Sequence, residues 1–210
     1  MIEIKELAKR FGEKTLFENM NLTIEQGEFL ILLGDSGCGK TTLLNMIGGI
    51  ENVDSGKILI DGKDISIKKN QMWLYGEKIG FLFQNFALVE HKTVYENLKM
   101  IKKKYRGGLE IDDVLEKVGM KGKGNNKVYT LSGGEQQRIA LARLMLKKCD
   151  IILADEPTGS LDRKNADNVI DILKYLNEIG KTIIMVTHDE HYQNIGTKKI
   201  YIADELKKNN

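Results

Sequence analysis

The chain has 210 residues, enough for one substantial core and short for two full domains. Hydrophobic residues make up 41%, charged residues 30%, and the formal net charge is +2. This balance lacks the basic excess of a phosphate-tracking surface, so no nucleic-acid partner is expected. The two cysteines, Cys38 and Cys149, lie far apart, which suggests no disulfide framework and fits a reducing cytoplasm.

In chain order, Met1-Ile2-Glu3-Ile4 lacks the basic and apolar regions of a signal peptide. The alternation of Ile2 and Ile4 predicts an edge strand. Leu22-Thr23-Ile24 and Phe29–Leu33 read as further strands, the second apolar on both faces and therefore buried in a sheet. Lys40–Ile47 reads as a helix stopped by Gly48-Gly49. Lys57-Ile58-Leu59-Ile60 enters a tight hairpin at Asp61-Gly62. Ile79-Gly80-Phe81-Leu82-Phe83 is another short strand. From about 85 to 148 the pattern turns helical, with Val94, Leu98, Ile101 and then Val114, Leu115, Val118 at helical spacing. Ile151-Ile152-Leu153-Ala154 and Ile183-Ile184-Met185-Val186 return to buried strands. Strands with intervening helices predict a parallel α/β core, and the helical middle reads as an insertion into it. All apolar runs are strand-sized, below the roughly 18 residues of a membrane helix, so action at a membrane would need another chain to cross it.

The strand Phe29–Leu33 runs into Gly34-Asp35-Ser36-Gly37-Cys38-Gly39-Lys40-Thr41-Thr42, which satisfies G-x-x-x-x-G-K-[ST] between a strand and a helix. Glycines let backbone N–H groups close on phosphate oxygens, and the following helix offers its N-terminal dipole to the same anion. Lys40 is expected to span the β- and γ-phosphates of ATP, and the Thr41 hydroxyl to ligate Mg²⁺. Cys38 reads as a loop filler rather than a redox group.

The strand at 151–154 ends in Asp155-Glu156-Pro157. Two adjacent acids at the end of a buried strand are costly unless they meet a metal or substrate. Strand alternation would send them to opposite sides. Asp155 is assigned to the metal and Glu156 to the general base for the attacking water, a role worth about 10²–10⁴-fold in rate. Between the two motifs lies Leu131-Ser132-Gly133-Gly134-Glu135-Gln136-Gln137-Arg138. Ser132 is a capping residue, the glycines permit close approach, and Glu135 sits one turn in, making a second anion-ready helix start.

Here the sequence resembles the ABC ATPase family, whose signature L-S-G-G-Q/E-x-Q-R it matches completely. The resemblance covers the whole chain. It implies an α/β fold: a P-loop NTPase (RecA-like) core, about 1–84 and 149–210, with a small antiparallel β portion and an inserted helical subdomain, about 85–148. It implies ATP hydrolysis, with Ser132, Gly133, Gly134 and Glu135 serving the ATP of a second, head-to-tail subunit. It further implies Gln84 as the Q-loop glutamine sensing Mg²⁺ and the lytic water. Ser160-Leu161-Asp162 becomes the D-loop at the dimer interface, and His188 the H-loop contact to the γ-phosphate. Phe11 stands where the family places an adenine-stacking aromatic, with core packing as the rival reading.

Gly34-Asp35-Ser36-Gly37 through Met46-Ile47-Gly48-Gly49, Phe83-Gln84-Asn85-Phe86-Ala87-Leu88 and the Glu156 to Asp162 stretch resemble the bacterial group serving lipoprotein release, macrolide export, and bacteriocin or antimicrobial-peptide export and resistance. Ser160 departs from the asparagine common there. The resemblance implies an integral membrane permease as partner, docked near 85–96, and a place at the cytoplasmic face of the membrane. Phe86, Leu88 and Val89 read equally as groove or core. Because the sequence stops soon after His188, the regulatory domain appended to many importer ATPases is expected to be absent. Lys102-Lys103-Lys104-Tyr105-Arg106 reads as a solvated helix face, and the lysine-rich tail 207–210 as frayed. Two alternatives stay open: a soluble ABC protein of DNA repair or translation, disfavoured by the missing coiled coil and second cassette, and a cell-division regulator that transmits force without transport.

Overall fold

The structure, a computed structural model, describes residues 1–203; the tail 207–210 lies outside the described residues. Two sheets share the molecule. The first joins β1 (Ile2–Phe11), β2 (Lys14–Ile24), β4 (Ser55–Ile60) and β5 (Lys63–Asp64) in the order β2-β1-β4-β5, with every pairing antiparallel. β1 is therefore central and not the edge that its alternation predicts: Ile2 pairs with Ile24 on one side and Ile60 on the other. Alternation reports a half-buried face; it carries no information about how many neighbours a strand has. The hairpin expected at Asp61-Gly62 forms, with both residues in the left-handed region (φ 48° and 74°) that such a two-residue turn requires.

The second sheet contains β3 (Phe29–Leu33), β6 (Ile79–Leu82), β7 (Ile151–Asp155), β8 (Thr182–Val186) and β9 (Lys198–Tyr201), all parallel, in the order β6-β7-β8-β3-β9. β3, β7 and β8 are buried on both faces, and side-chain alternation splits them between two cores. Phe29, Ile31 and Leu33 of β3, Ile152 and Ala154 of β7, and Ile183 and Met185 of β8 face one cluster. Leu30 and Leu32, Ile151 and Leu153, and Ile184 and Val186 face the other. The first cluster is closed by α3 (Val94–Lys99), α4 (Ile111–Lys117), α5 (Gly133–Leu146) and α6 (Arg163–Glu178). The second is closed by α1 (Lys40–Ile47) and the antiparallel sheet. Burial on both faces is why these strands read as continuous apolar runs.

The stretch that reads as helical from 85 onward is less regular than its periodicity suggests. Residues 85–93 form turns, and α3 starts only at the capping box of Thr93 and Glu96. Asn97, buried in α3, holds that loop by accepting from the Val89 N–H (2.8 Å) and donating to the Val89 carbonyl (3.1 Å). Ile101 lies beyond the end of α3 yet still packs on the core. The lysine run is not a helix face: Lys103–Tyr105 is a single 3₁₀ turn, with Lys102, Lys103 and Lys104 exposed and Arg106 Nε bonded to the Ile101 carbonyl. A short α2 (Lys68–Trp73) continued by a π-helical turn (Leu74–Lys78), and strand β9, have no counterpart in the sequence reading.

Candidate active site

Phosphate-loop, acidic and histidine motifs meet because four parallel strands present their carboxyl ends along one edge: the loop follows β3, Gln84 follows β6, Asp155 and Glu156 close β7, and His188 follows β8. That edge is where open α/β sheets place ligands.

After β3 the backbone passes through Gly34 (φ 145°), Gly37 (φ 73°) and Gly39 (φ 103°), and Gly39 caps α1 without a side chain. A Cβ on Gly39 would sit 2.8 Å from Cζ of the buried Phe17 ring, so the loop is pressed onto the antiparallel sheet and only glycine fits. Lys40 Nζ reaches back into the loop and donates to the carbonyls of Gly34 (2.7 Å) and Asp35 (2.9 Å). Lys14 Nζ donates to the Gly37 carbonyl (3.0 Å) from outside. Asp35 and Ser36 are exposed on the loop's crest. Cys38 fills the loop interior: its Sγ is 3.9 Å from Lys40 Nζ and 2.7 Å from where a Cβ on Gly34 would lie. Ser36, Gly37, Gly39, Lys40, Thr41, Thr42 and Glu156 line a cleft of about 240 Å³.

Across the cleft, Thr41 Oγ1 donates to Asp155 Oδ1 at 3.0 Å, joining the start of α1 to the end of β7. Burial pushes the Asp155 carboxyl above its ordinary range, and the neighbouring Glu156 charge adds to this, against the opposing pull of the Thr41 hydrogen bond and Lys40. Glu156 is not sent to the opposite side by strand alternation as expected. β7 ends at Asp155, and Glu156 itself takes a left-handed conformation (φ 46°) that turns its side chain away. Its Oε2 lies 2.8 Å from His188 Nδ1 and accepts the His188 N–H at 3.4 Å. Acid and histidine thus form a pair at the cleft, Glu156 16% exposed and His188 72%.

Ser132, Gly133 and Gly134 do not line this cleft. Ser132 caps α5 in a full capping box: its Oγ accepts the Glu135 N–H (3.3 Å) while Glu135 Oε2 accepts the Ser132 N–H (2.9 Å). The Ser132 backbone bond holds the Glu135 carboxyl below its ordinary range. An added Cβ on Gly133 would meet open space, whereas one on Gly134 would press on Asn165 at 2.8 Å. Asp162 caps α6 by accepting the Asn165 N–H (2.9 Å), and Asn165 Oδ1 accepts from Arg138 (2.7 Å), so the D-loop residue and the signature helix are joined. Gln84 is exposed and lies near the acid turn: its Nε2 and the Glu156 Cβ lie 3.6 and 3.8 Å from the same point, where a Cβ on Gly159 would be. Phe11 is 50% exposed at the end of β1, with Lys9 Nζ 4.9 Å from its ring centroid, which disfavours the core-packing reading. Val89 is likewise exposed, while Phe86 and Leu88 pack partly on the core.

Two contacts escaped the sequence reading. Gln137, within the signature itself, is buried and donates through Nε2 to the Pro157 carbonyl (2.7 Å), next to Glu156. Arg143 on the same helix donates to the Phe86 carbonyl (2.8 Å) and to that of Ala87. Gln137 was visible as the second glutamine of its motif, whereas nothing in the sequence pattern marked Arg143.

The ABC transporter family profile matches residues 17–159. The macrolide export ATP-binding/permease protein MacB of Mannheimia succiniciproducens is 40% identical over 97% of this chain and 33% of its own length. The chain thus spans about a third of that relative. The lipoprotein-releasing system ATP-binding protein LolD 1 of Chlorobium chlorochromatii is 38% identical over 91% of this chain and 81% of its own. Among solved structures, the dimeric post-hydrolysis ATP-binding cassette MJ0796 of Methanocaldococcus jannaschii, bound to ADP and Pi, superposes with a TM-score of 0.84 at 36% identity, covering 96% of this chain and 94% of that one. The P-loop NTPase fold expected from the sequence is therefore the fold observed, and the chain belongs to the ABC transporter family as an ATP-binding cassette.

Proposed function

We propose that this chain binds and hydrolyses ATP as one half of a head-to-tail dimer and drives a separate membrane permease from its cytoplasmic face. One observation carries the reading: three neighbouring strands bring the Lys40 loop, the Thr41–Asp155 contact and the Glu156–His188 pair to one cleft, while the capped Ser132 helix start lies off it. A helix start with an open Gly133 and no anion of its own suits the phosphates of a partner's ATP. The likeness to a dimeric cassette supports the pairing. In this reading the core comprises 1–84 and 149–210, with 85–148 as the helical part.

In its ATP-facing role, Lys40 exchanges the two loop carbonyls for phosphate oxygens, the glycine N–H groups cradle them, and Phe11 stacks on the adenine. Glu156 accepts the proton of the attacking water, and His188 orients Glu156 and meets the γ-phosphate. The residues fit Mg²⁺. Thr41 and Asp155 offer hard oxygens, and burial disfavours the Asp155 charge, a cost that a cation would relieve. Mg²⁺ keeps several waters and few protein ligands, and when bound it neutralises charge on the phosphates. Gln84 would join that shell from the Q-loop.

An apolar groove of about 370 Å³ between β6 and the helical part, lined by Tyr75, Phe81, Phe83, Met100, Tyr105 and Arg143 among others, suits the permease. No helix among the described residues is long and apolar enough to cross a membrane. Relatives named for macrolide export and lipoprotein release favour an export-type or mechanotransmitting complex, with a peptide, lipoprotein or similar amphipathic substrate. The test is capture of partners by tagged Glu156→Gln chain from gently solubilised native membranes with ATP. An integral membrane permease is expected. Recovery of ribosomal or DNA-bound proteins alone would move the chain to the soluble ABC ATPases.

A further inference from the structure

The Phe86–Ala87 turn, two residues beyond Gln84, is strained: both are non-glycine residues in the left-handed region, at φ 61° and 47°. Adjacent residues keep such conformations only where surrounding structure holds them. Beside the turn's own bonds, from the Phe86 N–H to the Phe83 carbonyl (3.0 Å) and from the Ala87 N–H to the Asn85 carbonyl (2.7 Å), one side chain ties it to the rest of the fold: the Arg143 guanidinium donates to both carbonyls of the turn, at 2.8 Å to Phe86 and also to Ala87. Arg143 is not a structural ion pair. Burial alone lowers its titration, and no carboxylate contributes. A desolvated guanidinium bonded only to carbonyls is an expensive way to close a loop, and its planar fork suits two acceptors that must keep a fixed relation.

Arg143 also lines the apolar groove beside Phe81 and Phe83, and it sits on α5, roughly three turns from Ser132. The same helix is tied by Gln137 to the Pro157 carbonyl, adjacent to Glu156. One rigid rod therefore bears the signature cradle at its start, a tether to the acid turn in its middle and a tether to the Gln84 turn near its end. Asn97 anchors the far side of the 85–93 loop, so the turn held by Arg143 is the part of the loop left to respond to the groove.

We propose that Arg143 is a positioning residue: it clamps the strained turn after Gln84 to the signature helix, so that the groove, the Gln84 turn and the Ser132 cradle move together. This rests on the ATPase reading above for its consequence, but the clamp itself is testable without it.

The experiment uses the full chain alone. Steady-state ATP hydrolysis and thermal unfolding are measured for wild type, Arg143→Gln and Arg143→Lys, with amide hydrogen exchange on the same proteins. Arg143→Gln is expected to lower kcat about tenfold with KM for ATP changed less than about twofold. Exchange is expected to rise at 86–89 and, by transmission, at 133–136. Arg143→Lys, a point donor facing two carbonyls, is expected to fall between. Faster exchange confined to 86–89, or no change at either segment, overturns the clamp, as does wild-type kcat in Arg143→Gln. Should Arg143→Gln fail to fold, Arg143→Lys carries the same criteria. A wild-type chain without ATPase activity counts against the proposed function instead, and the exchange pattern still decides the clamp.

Discussion

Gly39→Ala is the sharpest structural perturbation of the phosphate loop. Its cost has two separable parts. A φ of 103° lies outside the left-handed minimum, so alanine there is strained by about 1–3 kcal/mol. The new Cβ would also lie 2.8 Å from Phe17 Cζ and 3.1 Å from Cε2, and Phe17 is fully buried and cannot swing aside. Such overpacking costs about 1–3 kcal/mol more. Together, on the order of 2–6 kcal/mol lowers the unfolding midpoint of a chain this size by roughly 4–24 °C. Gly37→Ala is the control. Its φ of 73° is near the left-handed minimum and the nearest atom is 3.9 Å away, so only about 1 kcal/mol of strain remains. Differential scanning calorimetry of the nucleotide-free variants compares them directly. Equal midpoints for the two would refute the packing of the loop onto the antiparallel sheet.

Other outcomes follow from the same geometry. Lys40→Ala, which removes an ammonium lining the cleft, should weaken ATP binding by calorimetry at least tenfold, in line with loss of a charge-assisted contact (about 1.5–3 kcal/mol); unchanged affinity would unseat the phosphate-loop assignment. Because burial raises the Asp155 carboxyl above its ordinary 3.8, the folded chain holds that proton more tightly than the unfolded one. Its ionisation therefore costs stability as pH rises through the folded value, and the loss is complete at neutral pH. Asp155→Asn should then raise the nucleotide-free unfolding midpoint at pH 7 and narrow its gap to wild type at pH 4, while abolishing Mg²⁺-dependent hydrolysis. A lower midpoint at pH 7 would contradict the burial argument. Ser132→Arg should bind ATP as a monomer yet fail to dimerise, detected by light scattering.

Much of the site was legible because its chemistry is local. The loop from Gly34 to Thr42 needs glycines at fixed places, and the strand before it is buried on both faces, so residue type and order sufficed. The Asp61-Gly62 hairpin and the Ser132 cap were readable for the same reason. What depended on distant partners was not. The central place of β1 is set by β4, some 50 residues later, and alternation at Ile2 and Ile4 cannot register it. The irregular 85–93 loop is held by Asn97 and Arg143 through backbone carbonyls, which leave no periodic trace; the Thr93-x-x-Glu96 box that starts α3 went unread in the sequence. The separation of Asp155 from Glu156 was foreseen, but its cause is a reversal of φ at Glu156 rather than strand alternation.

The central claim is that two copies of this chain close around ATP. Glu156→Gln, lacking the base but keeping the cradle, is the species in which that closure should persist. Light scattering with Mg²⁺ and ATP should report about twice the 23.8 kDa of one chain, returning to a single chain when ATP is withdrawn or when Ser132→Arg is added. A Glu156→Gln chain that binds ATP yet remains at the mass of one copy would contradict the account.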